Sequence, residues 1–416
     1  MNTGRKLLVF PISLLGFFCI SCVEEFNARV ENIENLLVVD ALITDEFKQH
    51  HVELTRVFAF GNDEPLVESG ALVRVLDDTG LANLFEEREP GVYSSQNAFA
   101  AEQGKSYQLH ITTADGKDYR STQVILPKAF PVGAMSAKPV SNENGDQGVG
   151  IFLDNSSNGA DPTFFRYEFE ETYKIIAPRW EAFRFQVVRN APCFEDPFVV
   201  EIVTWEDERR TCFGTAKSQR LIQNTSVELE GSANTNFRLH FLAQDNYIIS
   251  HRYSINVRQY AQTQDAYSFY ERLGDFSSFP DIFSQVQPGF LEGNITQESN
   301  PDEMVLGYFE VASVSEERMY FNYEDVFPGE DLPPYPSNCG TLGNPRLWPP
   351  GYTCLGPGDC EKDCISSLIE QIMTEEVVYA ATKEADTLSP YFTWPSPCGD
   401  CTKIGSNIVP EFWTEE

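Results

Sequence analysis

The chain is poor in the residues on which familiar catalytic sites are built. It has only five histidines, His50, His51, His110, His240 and His251, and none falls in an HExxH arrangement, which argues against a zinc hydrolase. A G-x-S-x-G nucleophile elbow and a glycine-rich phosphate loop are both missing. Basic residues are scarce, with 30 Lys+Arg against 63 Asp+Glu and a net charge of −33. So acidic a surface repels nucleic acid and anionic headgroups, and neither is expected as a partner. Beyond the first 20 residues there is no apolar run long enough for a membrane-spanning helix, which needs about 20 residues.

The one hydrophobic run that is present stands at the N-terminus. Arg5 and Lys6 precede the apolar stretch Leu7 to Ile20, interrupted by Pro11, Ser13 and Gly16, which has the charge and length of a secretory signal. It ends in Cys19-Ile20-Ser21-Cys22, where a small residue immediately precedes a cysteine, as the lipoprotein signal peptidase requires. Cys22 is the expected lipidation site, because Cys19 follows bulky Phe18. Residues 1–21 therefore read as a signal peptide and 22–33 as a lipidated tether. Glu24 and Glu25 just behind the cysteine resemble the export signal of surface lipoproteins in Bacteroidota, so an outer-membrane, surface-exposed location is expected.

With 42% apolar and 13% aromatic residues, the rest of the chain can pack two or three domains, and its dispersed acids read as a solvated face. Of ten cysteines, Cys19 leaves with the signal and Cys22 takes the lipid. The remaining eight are Cys193, Cys212, Cys339, Cys354, Cys360, Cys364, Cys398 and Cys401, an even set that in an exported protein suggests four disulfides among about a hundred possible connectivities. The close pairs Cys360/Cys364 and Cys398/Cys401 also have spacing that zinc could use, but thiolate ligands must stay reduced, so no metal and no cofactor is expected. A thioredoxin-like reading of Cys398-Gly399-Asp400-Cys401 lacks its βαβ context.

Residues 34–128 read as short strands separated by turns. Leu36 to Ile43, Val52 to Val57, Ala71 to Leu76, Gly91 to Tyr93, Ser106 to Ile111 and Lys117 to Val124 carry apolar or alternating patterns, with glycine turns at Gly80 and Gly116. This spacing predicts an immunoglobulin-like β-sandwich. Pro127, Pro131, Pro139 and the polar run Ser141 to Gly148 then read as a linker.

From 129 to 326 a second, larger β-rich domain is expected, with strands at Phe164 to Ile176, Phe183 to Val188, Phe198 to Trp205, Ser226 to Leu229, Phe237 to Leu242 and Tyr253 to Tyr260. One helix should begin after Thr263 as N-cap, carry Asp265 in its first turn and stop at Gly274. Its Ala266, Phe269, Tyr270 and Leu273 would face the core. Residues 327–416 are rich in proline and cysteine and read as a segment packed on the second domain and ordered by cross-links, with a further short helix between Glu361 and Met373.

Other patterns are weaker. Asp63-Glu64 and Asp302-Glu303 read as loop acids that calcium could use, without an EF-hand loop around them. Asn155, Asn224 and Asn294 each open an N-glycosylation sequon, and Asp386-Thr387-Leu388 resembles a short O-glycosylation motif of Bacteroidota. A glycosidase needs two placed carboxylates, and nothing singles out a pair.

The order of segments Leu37 to Asp45, Pro90-Gly91-Val92-Tyr93, Gly104-Lys105-Ser106-Tyr107, Gly293-Asn294-Ile295 and Leu306-Gly307-Tyr308-Phe309 resembles a large family of Bacteroidota outer-membrane lipoproteins with a domain of unknown function, of DUF4249 type. The ending Cys398, Cys401, Gly405, Asn407, Pro410 and Phe412-Trp413 fits the same resemblance. Family members are commonly encoded beside TonB-dependent receptors, which implies a noncatalytic accessory or substrate-capturing partner of a transporter barrel. The alternatives are a surface hydrolase acting on glycans or peptides, or a structural or adhesive envelope protein. The resemblance brings no catalytic residues with it. Glycine beside bulky aromatics in the Gly293 and Gly307 segments also has a structural reading, close packing in a β-domain. Phe412-Trp413 reads either as docking on the core or as an exposed anchor for a partner.

Overall fold

The computed structural model describes residues 35–57, 66–154, 163–189, 198–226, 236–277, 291, 293–347, 367–384, 386 and 388–415. The expected lipidation site Cys22, the Glu24/Glu25 pair and the cysteines Cys193, Cys354, Cys360 and Cys364 lie outside the described residues, as do Asp63, Glu64, Asn155 and Thr387.

The protein is mainly β, as the patterning predicts. Its first strands are β1 (Leu37–Thr44), β2 (His51–Arg56), β3 (Leu66–Val67), β4 (Leu72–Asp77), β5 (Ala82–Glu89), β6 (Val92–Ser95), β7 (Ser106–Thr112), β8 (Asp118–Ser121) and β9 (Val124–Ile125). Alternation along β1 sends Leu37, Val39, Ala41 and Ile43 into the core and leaves Val38, Asp40 and Leu42 on the other face. Of these strands β5 has no sequence signature. Only Phe85 among its eight residues is buried, and Glu86, Glu87 and Glu89 cover the rest with charge.

The linker expected around Pro139 is instead a hairpin of β10 (Met135–Ser141) and β11 (Gln147–Asp154), turning at Asn142 to Asp146. Pro139 is tolerated because β10 pairs on one side only, at the edge of its sheet. The remaining strands before the helix are β12 (Phe164–Ile176), β13 (Phe183–Arg189), β14 (Phe198–Thr204), β15 (Thr211–Lys217), β16 (Ile222–Thr225), β17 (Asn236–Ala243) and β18 (Arg252–Gln262). β16 thus ends at Thr225, just before the strand expected at 226–229; Ser226 is not in a strand, and residues 227–229 lie outside the described residues.

Helix α1 (Gln264–Ser277) begins where expected, with Ala266 N–H donating to the Thr263 hydroxyl at 3.2 Å. Two details differ from the sequence reading. Gly274 lies inside the helix rather than past its end, and Leu273 is 41% exposed while Ala266 and Phe269 are buried. The apolar stripe is therefore wider than the face that packs, and Leu273 looks into a cleft.

After α1 come β19 (Ile295–Gln297) and the long β20 (Leu306–Asn322). β20 joins the two halves of the molecule. Its first part runs parallel to β1, from Leu306 opposite Val38 to Ala312 opposite Thr44, and its second part runs antiparallel to β18. Thus residues 295–312, which follow the second domain's helix in sequence, build the first module.

In that module the strand order is β20, β1, β2, β6, β5, β4, β7, β8, β19. Asn294, at the entrance to β19, hydrogen-bonds the backbone of Phe309 on β20 and ties the far end of this path back to its start. The strands so arranged enclose one apolar core that includes Leu54, Val75, Leu109, Tyr119, Ile295 and Phe309. The second module is two-layered. β12, β18 and the end of β20 form one layer, and β10, β11 and β17 the other. Val149, Ile151 and Leu242 from one layer meet Phe165, Tyr253 and Val257 from the other.

The C-terminal segment carries the hairpin β21 (Val377–Thr382) and β22 (Tyr391–Pro395), which its composition does not announce, and the short helix Ser367–Met373. Phe185 of β13 packs against Tyr379 and Tyr391 of this hairpin, with ring centroids 5.5 Å apart in each case. Two disulfides staple the segment. Cys212–Cys401 crosses to β15, and Cys339–Cys398 closes the segment on itself.

Candidate functional site

A cleft of about 890 Å³ opens where the first sheet, α1 and β12 meet. Its floor is the outer face of β20, β1 and β2. Tyr308 stands opposite Asp40, and Asp40 opposite Glu53, so the three side chains lie in one row across the strands. One wall is α1, which presents Phe269, Tyr270 and Leu273. Phe269 packs on Tyr308 with ring centroids 4.9 Å apart, fixing the wall to the floor. Arg166 and Glu168 project from β12.

Arg166 is buried, and burial by itself disfavours its charge. Glu310 and Glu168 more than offset this and hold the guanidinium above its ordinary range. Its Nη1 donates to Glu168 at 2.5 Å and its Nη2 to Glu310 at 3.2 Å. The guanidinium also lies over the rings of Tyr260, at 4.2 Å, and Tyr270, at 5.3 Å. Glu310 is fully buried, and its second oxygen accepts from Gln262 at 2.7 Å. The Tyr270 phenol is held well above its ordinary range, first by burial and then by the negative charge of Glu310, with Asp40 adding to it against Arg166. Burial likewise pushes Tyr308 up to about 12.

His50 and His51 lie at the cleft beside Lys48. His50 is buried with its Nε2 at 3.0 Å from the Phe99 carbonyl, and burial pulls its pKa down to about 4. His51 Nδ1 is 2.9 Å from the Ser94 hydroxyl. Lys48 is bonded to Glu46 at 2.5 Å.

The residues singled out by sequence are placed elsewhere. Cys398 and Cys401 each bond a distant cysteine, so the two do not form one redox pair, and among the described residues no group of His, Cys, Asp and Glu could hold a metal ion. Glu303 is engaged by Lys117 at 3.0 Å and by the Tyr119 hydroxyl at 2.7 Å, which ties its loop to β8. Asn294 spends both ends of its amide on the Phe309 backbone, so this sequon is closed to a glycan in the fold. Trp413 docks on the core, against Phe213 at 4.8 Å and Tyr320 at 6.1 Å, while Arg318 lies 3.5 Å over the Phe412 ring. Sequence reading missed Arg166, Glu168 and Glu310. The available signal was a charge inside an apolar run, as in Tyr308-Phe309-Glu310-Val311-Ala312.

The model of the family named "Domain of unknown function (DUF4249)" matches residues 23–318. No curated protein matches the chain. Among solved structures, the crystal structure of a DUF4785 family protein from Legionella pneumophila subsp. pneumophila str. Philadelphia 1 is similar over 54% of this chain and 52% of that one, at 13% identity with a TM-score of 0.17. The chain thus spans about half the length of that neighbour.

Proposed function

This chain belongs to the DUF4249 family, and from that premise we propose that it is a noncatalytic, ligand-capturing lipoprotein of the outer membrane that serves a TonB-dependent transporter. Lipid on Cys22 holds the protein at the surface, with Glu24 and Glu25 directing export. The cleft captures a solute, and the transporter barrel takes it up. The observation that carries the reading is the cleft itself. It joins an apolar wall to a few fixed polar groups, the composition typical of small-molecule sites, and it lies where separate elements meet.

A surface hydrolase finds less support in this site. Hydrolysis of a glycan needs two carboxylates that reach the bond. Glu310 is closed off, with its oxygens committed to Arg166 and Gln262. Asp40 and Glu53, which do face the cleft, are both exposed and lack the burial from which a glycosidase's general acid is built.

The test uses the soluble chain starting after Cys22, exposed to spent growth medium, and mass spectrometry of what it retains. Leu273→Arg, at a half-open position on the α1 wall, should empty the cleft without unfolding the protein. The lipidated protein, purified from detergent-solubilised membranes, should bring a transporter barrel with it. Identical small-molecule retention by wild type and Leu273→Arg, or repeated recovery of the lipoprotein alone, would reject the reading.

A further inference from the structure

The charges in the cleft do not balance. Arg166 is neutralised by two carboxylates, Glu168 and Glu310, and Lys48 is bonded to Glu46, a carboxylate it shares with Arg258. The lining cations Arg166 and Lys48 are thus outnumbered by Asp40, Glu53, Glu168 and the buried Glu310. Nε, the Arg166 nitrogen without a hydrogen-bond partner, is itself buried, and Nη1 and Nη2 are each turned to a carboxylate, so an anion meets the guanidinium only against Glu168 and Glu310. His50 is buried and depressed to about 4, hence neutral near pH 7, and His51 is bonded through Nδ1 to Ser94. On the floor, by contrast, Asp40 and Glu53 face one another across β1 and β2, both exposed and neither with an ion-pair partner among the described residues. Like charges directly opposite on neighbouring strands destabilise a sheet. Such a pair lowers its energy when a cation comes between the two carboxylates.

The rest of the cleft fits an organic cation better than a bare metal ion. Tyr308 lies beside Asp40 on the floor, with Phe269, Tyr270 and Leu273 above it, so an ammonium at the carboxylates has an aromatic and apolar wall next to it for the rest of the ligand. We propose that this cleft selects a ligand with an apolar body and a protonated amine, the body along α1 and the ammonium at Asp40 and Glu53. The proposal rests on the reading of the cleft as a capture site and names the class of molecule captured.

The test compares octylamine, octanol and octanoate, which share a chain and differ in charge, by calorimetry on the soluble protein at low salt and below micelle-forming concentrations. Octylamine is expected to bind at least about tenfold tighter than octanol, a difference near 1.4 kcal/mol, with octanoate weakest. Added salt should shrink that preference. Asp40→Asn combined with Glu53→Gln should bring octylamine within about twofold of octanol and leave octanol unchanged. Equal binding of all three, tighter binding of octanoate, a preference that survives the double variant, or no binding of any probe overturns the inference. If the uncharged or anionic probe binds and Leu273→Arg abolishes it, the capture reading stands while the charge preference falls. If no probe binds and Leu273→Arg changes nothing that the protein retains, both fall.

Discussion

The Asn294 side chain makes the pair of hydrogen bonds to Phe309 that a neighbouring strand would otherwise make. Its Nδ2 donates to the Phe309 carbonyl at 2.9 Å, and its Oδ1 accepts from the Phe309 N–H at 2.8 Å. The approach is close because glycines clear the way. A Cβ on Gly293 would lie 1.8 Å from the Gly307 carbonyl oxygen, and one on Gly307 would lie 1.9 Å from that of Val39. Gly307 also has a φ of 97°, which side-chain-bearing residues rarely adopt. The Gly293-Asn294-Ile295 and Leu306-Gly307-Tyr308-Phe309 segments are thus two halves of one clasp.

Removing the clasp should open the first module. Asn294→Ala leaves the Phe309 N–H and C=O without partners in a buried setting and should cost about 2–4 kcal/mol in urea denaturation. Gly307→Ala should cost at least as much, through both contact and φ. Losses below about 0.5 kcal/mol for both would show that the clasp is not needed for the fold.

The buried ion pair gives a second expectation. Glu310→Gln leaves the Arg166 guanidinium with a single charged partner, Glu168, and should destabilise the protein by about 3 kcal/mol. Combining Glu310→Leu with Arg166→Met removes both charges and should recover most of that loss. A double variant no more stable than Glu310→Gln would mean that the pair is stabilising in itself.

Stability should also follow the protonation of His50. Burial pulls its pKa from the ordinary 6.5 to about 4, so in this window the unfolded chain takes up a proton that the folded chain does not. Its contribution is intact above pH 6.5 and falls as pH drops towards 4, by about 1.4 kcal/mol per pH unit at most. Between pH 7 and pH 5 the wild type should lose about 2 kcal/mol more than His50→Gln. Parallel losses in urea titrations at the two pH values would refute the assignment.

The disulfides should matter most to the C-terminal segment. Cys339–Cys398 joins residues 59 apart, and Cys212–Cys401 joins residues 189 apart. Loops of this size imply about 4–5 kcal/mol each if restriction of the unfolded chain dominates. Replacing Cys212 and Cys401 together by serine should free the end of the chain, and limited proteolysis should then cut near β22 while the first module stays intact. Cleavage patterns identical to wild type would show that packing of Trp413 on Phe213 holds the segment without the bond.

Much of the fold was legible because local pattern and burial agree. β1, β2, β4, β7 and β12 carry alternation or β-branched runs and form where expected, and Thr263 starts its helix. β5 and β20 were not read as strands, and the solvent faces of β5 and of the second half of β20 carry Glu86, Glu87, Glu89, Glu316 and Glu317. Their partners across the sheet stabilise them rather than their own hydrophobicity. The hairpin around Pro139 was hidden for a related reason, since proline excludes a central strand but not an edge.

The sequence by itself determined the β class, the helix start, the acidity of the surface and the residues available for cross-linking, because each follows from local periodicity or from counting. Only the tertiary structure decided that β20 runs beside β1, which lies more than 250 residues earlier in the chain, and that Cys398 and Cys401 take different partners. The cleft belongs to the second group. Asp40, Glu53, Arg166, Tyr270 and Tyr308 come from five separate elements, and their shared field arises from strand register and the docking of α1, which no short stretch of the chain encodes.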